Sequence, residues 1–151
     1  MTIKFGTISH GTLRSEDLLE AFADELDYQR SCGAAVDAEH GDRLRKLVDA
    51  ARAVDPEHED ADELVAELQD ALSELAPSYA YFGSTEGDGS DFGFWPDVNA
   101  LEDAVRDGEV TKVNAGDALP YDGEYMVVTD HGNVTYVYVQ DGTFHEVWSC
   151  V

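Results

Sequence analysis

The chain has 151 residues, with 9 Lys+Arg against 33 Asp+Glu and a formal charge of -24 at pH 7. Such a body is repelled by nucleic-acid phosphates and anionic membrane surfaces, because both are bound through Lys and Arg. Its 43% hydrophobic and 10% aromatic residues supply a core, which excludes global disorder, and a single domain over residues 1–151 is expected at this length.

No apolar run approaches the ~18 residues of a membrane span, and Met1–His10 lacks the apolar centre of a signal peptide. Cys32 and Cys150 are too few for a disulfide scaffold and have no ligand spacing. A reducing, cytoplasmic setting is therefore expected. The charge is uneven. Residues 1–52 carry 7 basic and 10 acidic residues, 53–112 carry 2 and 17, and 113–151 carry 6 acidic and no basic residue. No Lys or Arg stands between Arg52 and Arg106, so this stretch forgoes the i,i+4 ion pairs that support ordinary helices.

In chain order, Ile3–Ile8 reads as a short strand broken at Ser9-His10-Gly11-Thr12. A helix follows from Ser15, a candidate N-cap, with Leu18, Leu19, Phe22 and Leu26 on one stripe and Cys32-Gly33 at its end. A second helix runs through Leu44, Leu47, Val48, Ala51 and Val54 and stops at Asp55-Pro56. The third starts near Asp60, places Leu64, Val65, Leu68, Ala71, Leu72 and Leu75 on one face, and ends at Pro77. Then the pattern turns to strands. Tyr79–Phe82 and Phe92–Trp95 read as a hairpin around a mobile tip, Glu86–Asp91. Asp97 caps a short helix with Val98, Leu101 and Val105 inward, ended by Asp107-Gly108. The remainder reads as a meander of Glu124–Thr129, Val134–Gln140 and Thr143–Val151, with an Asp141-Gly142 turn. The expected class is α+β: N-terminal helices (about 1–77) packed on an antiparallel sheet formed by the hairpin and the C-terminal β-meander (about 78–151).

Two lines of carboxylates stand out. Glu63, Glu67, Asp70 and Glu74 are spaced 4, 3, 4 along the third helix, opposite its leucine stripe. Asp17, Glu20, Asp24 and Asp27 are spaced 3, 4, 3 along the first. At ~1.5 Å of rise per residue the carboxylates of each line lie about 5 Å apart, within a factor of two of the ~3.4 Å per phosphate of one DNA strand. Any amphipathic helix turns acids outward, and a salt-loaded cytoplasm would also select 19 Asp, 14 Glu and only 3 Lys. The scarcity of Arg as well, at 6, leans toward a functional acidic surface.

Other chemistries are weaker. Glu86–Asp91 offers oxygen ligands but lacks the 12-residue calcium-loop pattern, so a solvated hairpin tip is expected. His10, His40, His58, His131 and His145 show no zinc spacing. Ser9-His10 and Asp130-His131 are neighbours in sequence only, phosphate-binding glycine loops are absent, and no cofactor, metal or enzymatic activity is expected. In Val134–Val139 both faces are apolar: Val134, Tyr136 and Tyr138 on one, Thr135, Val137 and Val139 on the other. One should meet the helices; the other needs a cover, such as a second copy in a homodimer or a partner.

Phe92-Gly93-Phe94-Trp95-Pro96-Asp97 and Asp130-His131-Gly132-Asn133-Val134, together with Ser9-His10-Gly11-Thr12-Leu13, resemble patterns in small acidic proteins of unassigned function carried by phages and plasmids. The resemblance implies a mobile-element origin and brings no catalytic residues. Small acidic phage proteins often act as decoys of nucleic acid, as antirestriction and anti-CRISPR inhibitors do. The expected function is a non-enzymatic inhibitor that binds the basic groove of a host nucleic-acid-binding defence protein through the eight carboxylates above. The alternative is a salt-adapted structural or interaction domain without mimicry.

Overall fold

The structure is a computed structural model that describes residues 3–150; Val151, at the end of the expected last strand, lies outside them. Its internal contacts define two units: residues up to Ala76 with Tyr81–Trp95, and Pro77–Ala80 with the residues from Pro96 onward.

The first unit contains β1 (Gly6–Ser9), α1 (Ser15–Ser31), α2 (Ala38–Ala53), α3 (Asp60–Leu75) and nearly all of β2 (Ala80–Thr85) and β3 (Asp88–Pro96). Apolar residues at helical spacing turn Leu18, Leu19, Phe22, Ala23 and Leu26 of α1 inward. They meet Leu44, Val48 and Ala51 of α2 and Ala61, Leu68 and Leu72 of α3 in one core. Phe22 joins helices to sheet: it stands edge-on to Phe82 (5.1 Å) and Phe92 (5.3 Å), and Phe82 is edge-on to Phe94 (5.0 Å).

The helix ends follow local chemistry. Gly33 has φ +87°, and the N–H groups of Gly33 and Ala34 donate to the carbonyls of Arg30 and Gln29, closing α1 with a left-handed glycine. The Asp37 carboxylate accepts from the His40 N–H at 2.7 Å to start α2. Ser15 is not the expected cap. Arg14 occupies that position, and Ser15, the first helical residue, donates its hydroxyl to Asp62 of α3.

In the three-stranded sheet β3 lies between β1 and β2. The expected loop at Glu86–Asp91 shrinks to a turn at Glu86-Gly87, with Asp88–Asp91 inside β3. The Asp88 carboxylate holds this segment by accepting from the Ser90 N–H (3.0 Å) and hydroxyl (2.8 Å).

The second unit contains α4 (Val98–Arg106), capped by Asp97 accepting from the Ala100 N–H at 3.0 Å, and a sheet of order β4-β5-β6-β7. Its strands are β4 (Thr111–Asn114), β5 (Gly123–Val128), β6 (Val134–Gln140) and β7 (Thr143–Cys150). The β5–β6–β7 meander is antiparallel, and Asp141 and Gly142, with φ +53° and +75°, make the Asp-Gly turn. Asp122 fixes that turn by accepting from both of its N–H groups (2.7 and 3.1 Å). On one face of the sheet Tyr136 packs against Tyr79 (5.0 Å) and Trp148 (6.0 Å), whose indole donates to the Ser78 carbonyl at 3.2 Å.

The class is α+β, with three helices in the N-terminal half and most strands toward the C-terminus. The hairpin and the meander lie in two separate sheets rather than one. In the first, β1 adds to β3; in the second, β4, unforeseen in the sequence, adds to β5 in parallel.

At Gly93 the backbone of β1 comes so close that a Cβ would sit 1.9 Å from the Gly6 carbonyl oxygen. Gly93→Ala must therefore displace β1. Urea unfolding is expected to show a loss of about 1–3 kcal/mol, the range for overpacked sites, with exchange protection of the Gly6–Ser9 amides lost first.

Candidate functional site

The line on α3 is built by the same periodicity that makes its core face. With Leu68 and Leu72 fully buried, positions 63, 67, 70 and 74 must point to water, and Glu63, Glu67, Asp70 and Glu74 are all exposed. Among the described residues none of these four carboxylates has an ion pair or hydrogen bond with another protein group, in contrast to six of the basic side chains, each of which has an acidic partner. Glu63/Glu67 and Asp70/Glu74 are like-charge i,i+4 neighbours, each pair costing about 0.2–0.5 kcal/mol. Glu74 also sits in the last turn of α3, which has no basic residue, so the negative end of the helix dipole opposes it.

The line on α1 is different. Asp17 is half-buried and accepts from the Thr12 hydroxyl at 2.7 Å. Asp24 lies 3.0 Å from Arg52 of α2, and Asp27 is 2.7 Å from Arg30 and 3.3 Å from Arg52. The Arg30 and Arg52 guanidiniums hold the Asp27 carboxyl below its usual value. Glu20 alone of these four is exposed with no protein partner among the described residues. The expectation of two uncompensated lines is thus corrected for α1, because Arg52 reaches it from 25 to 28 residues away in sequence.

Nor do the lines merge. Glu20 and Asp24 border a groove whose α2 side carries Arg52, whereas Glu67, Asp70 and Glu74 border another whose α2 side carries His40 and Arg43. Helix α2 contributes to both grooves, with Arg52 at the first and Arg43 at the second. The α3 groove, about 210 Å³, has Leu44, Leu47 and Ala71 at its base. A cationic side chain entering it would rest its methylenes there and its charge on Glu67, Asp70 and Glu74.

The histidines are separated. His40 is buried and its Nδ1 accepts from the Val36 N–H; His10 lies 3.4 Å from Asp88; His145 stacks on Tyr138 at 4.5 Å. Among the described residues no group of three His, Cys, Asp or Glu is placed to hold a metal ion, and no helix is long and apolar enough to cross a membrane. Tyr136, buried beside Glu124 and accepted by its carboxylate, has its phenol pushed far above the usual value, first by desolvation.

No family model, curated protein or solved structure matches the chain.

The Asp27 pair has a pH signature. A carboxyl lowered in the folded state stabilises the fold above its unfolded value, near 3.8, and that stabilisation is lost as pH falls through the lowered folded value. Arg52→Met is expected to reduce stability at pH 7 by no more than ~1 kcal/mol, since the pair is exposed. The deficit relative to the parent should narrow in urea melts taken at progressively lower pH below 3.8.

Proposed function

We propose that the chain is a non-enzymatic acidic inhibitor that acts inside a host cell as a nucleic-acid mimic. Its target is the basic groove of a host nucleic-acid-binding defence protein, of the kind met by antirestriction and anti-CRISPR inhibitors. The observation that carries this reading is the α3 line: four exposed carboxylates, spanning about 16 Å at helical rise, none in an ion pair among the described residues, although Arg43 borders the same groove. A surface held against its own repulsion is suited to a partner that supplies the missing positive charge. The site therefore centres on Glu63, Glu67, Asp70 and Glu74, with Glu20 as the remaining contribution from α1.

The second reading, salt adaptation, is favoured by the other unit. Pro77–Ala80 and the residues from Pro96 on carry 11 acidic and 2 basic residues without any such line. The readings separate on salt: a salt-adapted fold unfolds below ~1 M salt, whereas a decoy stays folded at ordinary ionic strength.

Immobilised protein is expected to capture nucleic-acid-binding proteins from host lysate at about 0.1 M salt and to lose them steeply as salt rises. Duplex DNA should displace them, and the Glu63→Lys, Glu67→Lys, Asp70→Lys triple variant, with an unchanged circular-dichroism spectrum, should capture none. Equal capture by the variant, or captured proteins that DNA does not displace, contradicts the proposal.

A further inference from the structure

The second apolar face of β6, singled out in the sequence as needing a cover, is only partly covered. Because β4 runs parallel to β5, with Asn114 level with Val128, the chain must return along the sheet before starting β5 at Gly123. Parallel neighbours usually need a longer crossover of a dozen residues or more; here the segment from Ala115 to Asp122 makes the return. Leu119 of this segment packs on Tyr125, Val137 and Val139, and the Tyr125 hydroxyl clamps it by donating to the Tyr121 carbonyl at 2.6 Å. The segment is too short to seal the face. What remains is a cleft of about 320 Å³ between the segment and the sheet.

The chemistry of the cleft is divided. Val113, Val127, Leu119 and Phe144 give it an apolar lining over the fully buried Val137, and Phe144 is 55% exposed although it lines a concave surface. Thr129 and Thr135 also line it, their hydroxyls already bonded to the Asn133 N–H and to the Ser149 hydroxyl, and Asp117 and Glu146 bring carboxylates. Asp117 spends one oxygen on the Asn114 N–H at 3.0 Å, leaving the other available; Glu146 is exposed. Among the described lining residues none is basic. The volume falls at the lower end of small-molecule sites.

We propose that this cleft binds a small organic cation: an apolar, branched or aromatic body seated on Val113 and Val127 and against Phe144, with an ammonium group at Glu146 and Asp117. Charge complementarity excludes anions, and the absence of a basic lining residue distinguishes the cleft from the α3 groove, where Arg43 and His40 stand beside Leu44, Leu47 and Ala71. The site is independent of the α3 line.

The test is an NMR amide titration of the full chain with three probes: phenethylamine, phenethyl alcohol, which has the body without the charge, and ethylamine, which has the charge without the body. Phenethylamine is expected to give saturable shifts confined to residues 113–119, 127–137 and 144–146, with the other two at least tenfold weaker. Glu146→Gln, at an exposed position, should weaken phenethylamine about three- to fivefold, the scale of an exposed ion pair. Glu67→Gln on α3 should leave its affinity unchanged. Equal binding of ethylamine, shifts spread along α1 and α3, or concentration-dependent shifts of the cleft residues without any probe, which would mark a second copy as the cover, each overturn the proposal.

Discussion

A helix that lines four carboxylates along one side without a cation keeps its shape only if its opposite side is held. In α3 that hold is the burial of Ala61, Leu68 and Leu72 in a core shared with α1 and α2. Fully burying one leucine side chain contributes about 1.5–3 kcal/mol. Each like-charge pair on the outside costs a few tenths. The inner face therefore wins by a wide margin, and α3 can display charge that would unravel an isolated peptide. Phe22, Phe82, Phe92 and Phe94 extend the same core to the three-stranded sheet.

The few cations are placed with consequence. Arg52 bridges α2 to Asp24 and Asp27, and Arg30 adds to Asp27, so α1 is largely neutral along its expected line. Arg45 and Lys46 share Asp42 of their own helix. None of these contacts is worth much singly, being exposed. Together they leave α3 with the longest line of outward carboxylates free of ion pairs among the described residues of the first unit, while Glu20, Glu39 and Asp49 stand singly on α1 and α2. Among the described residues the one cation that reaches across helices, Arg52, serves α1 rather than α3.

Much of this was legible in the sequence, for reasons that can be named. The three long helices follow from 3.6-residue periodicity and from punctuation at Gly33, Pro56 and Pro77, and the Asp141-Gly142 turn from its dipeptide. What could not be read depended on partners distant in sequence. Thr111–Asn114 is four residues without alternation, and only pairing to β5 makes it a strand. Ser15 looks like a cap until Asp62 takes its hydroxyl. The Glu86–Asp91 segment looks like a loop because of its glycines, yet Asp88 binding Ser90 and pairing within the sheet keep most of it in β3. On the charge lines, helical spacing placed all eight carboxylates on helix faces. The neutralisation of α1 by Arg52 was hidden, although four of the nine basic residues lie between Arg43 and Arg52, a concentration that pointed to α2 as the source.

The most direct measurement is of the repulsion itself. Glu63→Gln, Glu67→Gln, Asp70→Asn and Glu74→Gln, made together, keep the shape of the α3 face and remove its charge. If the line is uncompensated, the quadruple variant melts higher than the parent at about 0.05 M salt, and the difference shrinks toward zero at ~1 M, where charges are screened within ~3 Å. A variant that melts at the same temperature or lower at low salt would show those carboxylates to be satisfied within the protein, and would contradict a ridge displayed for a cationic partner.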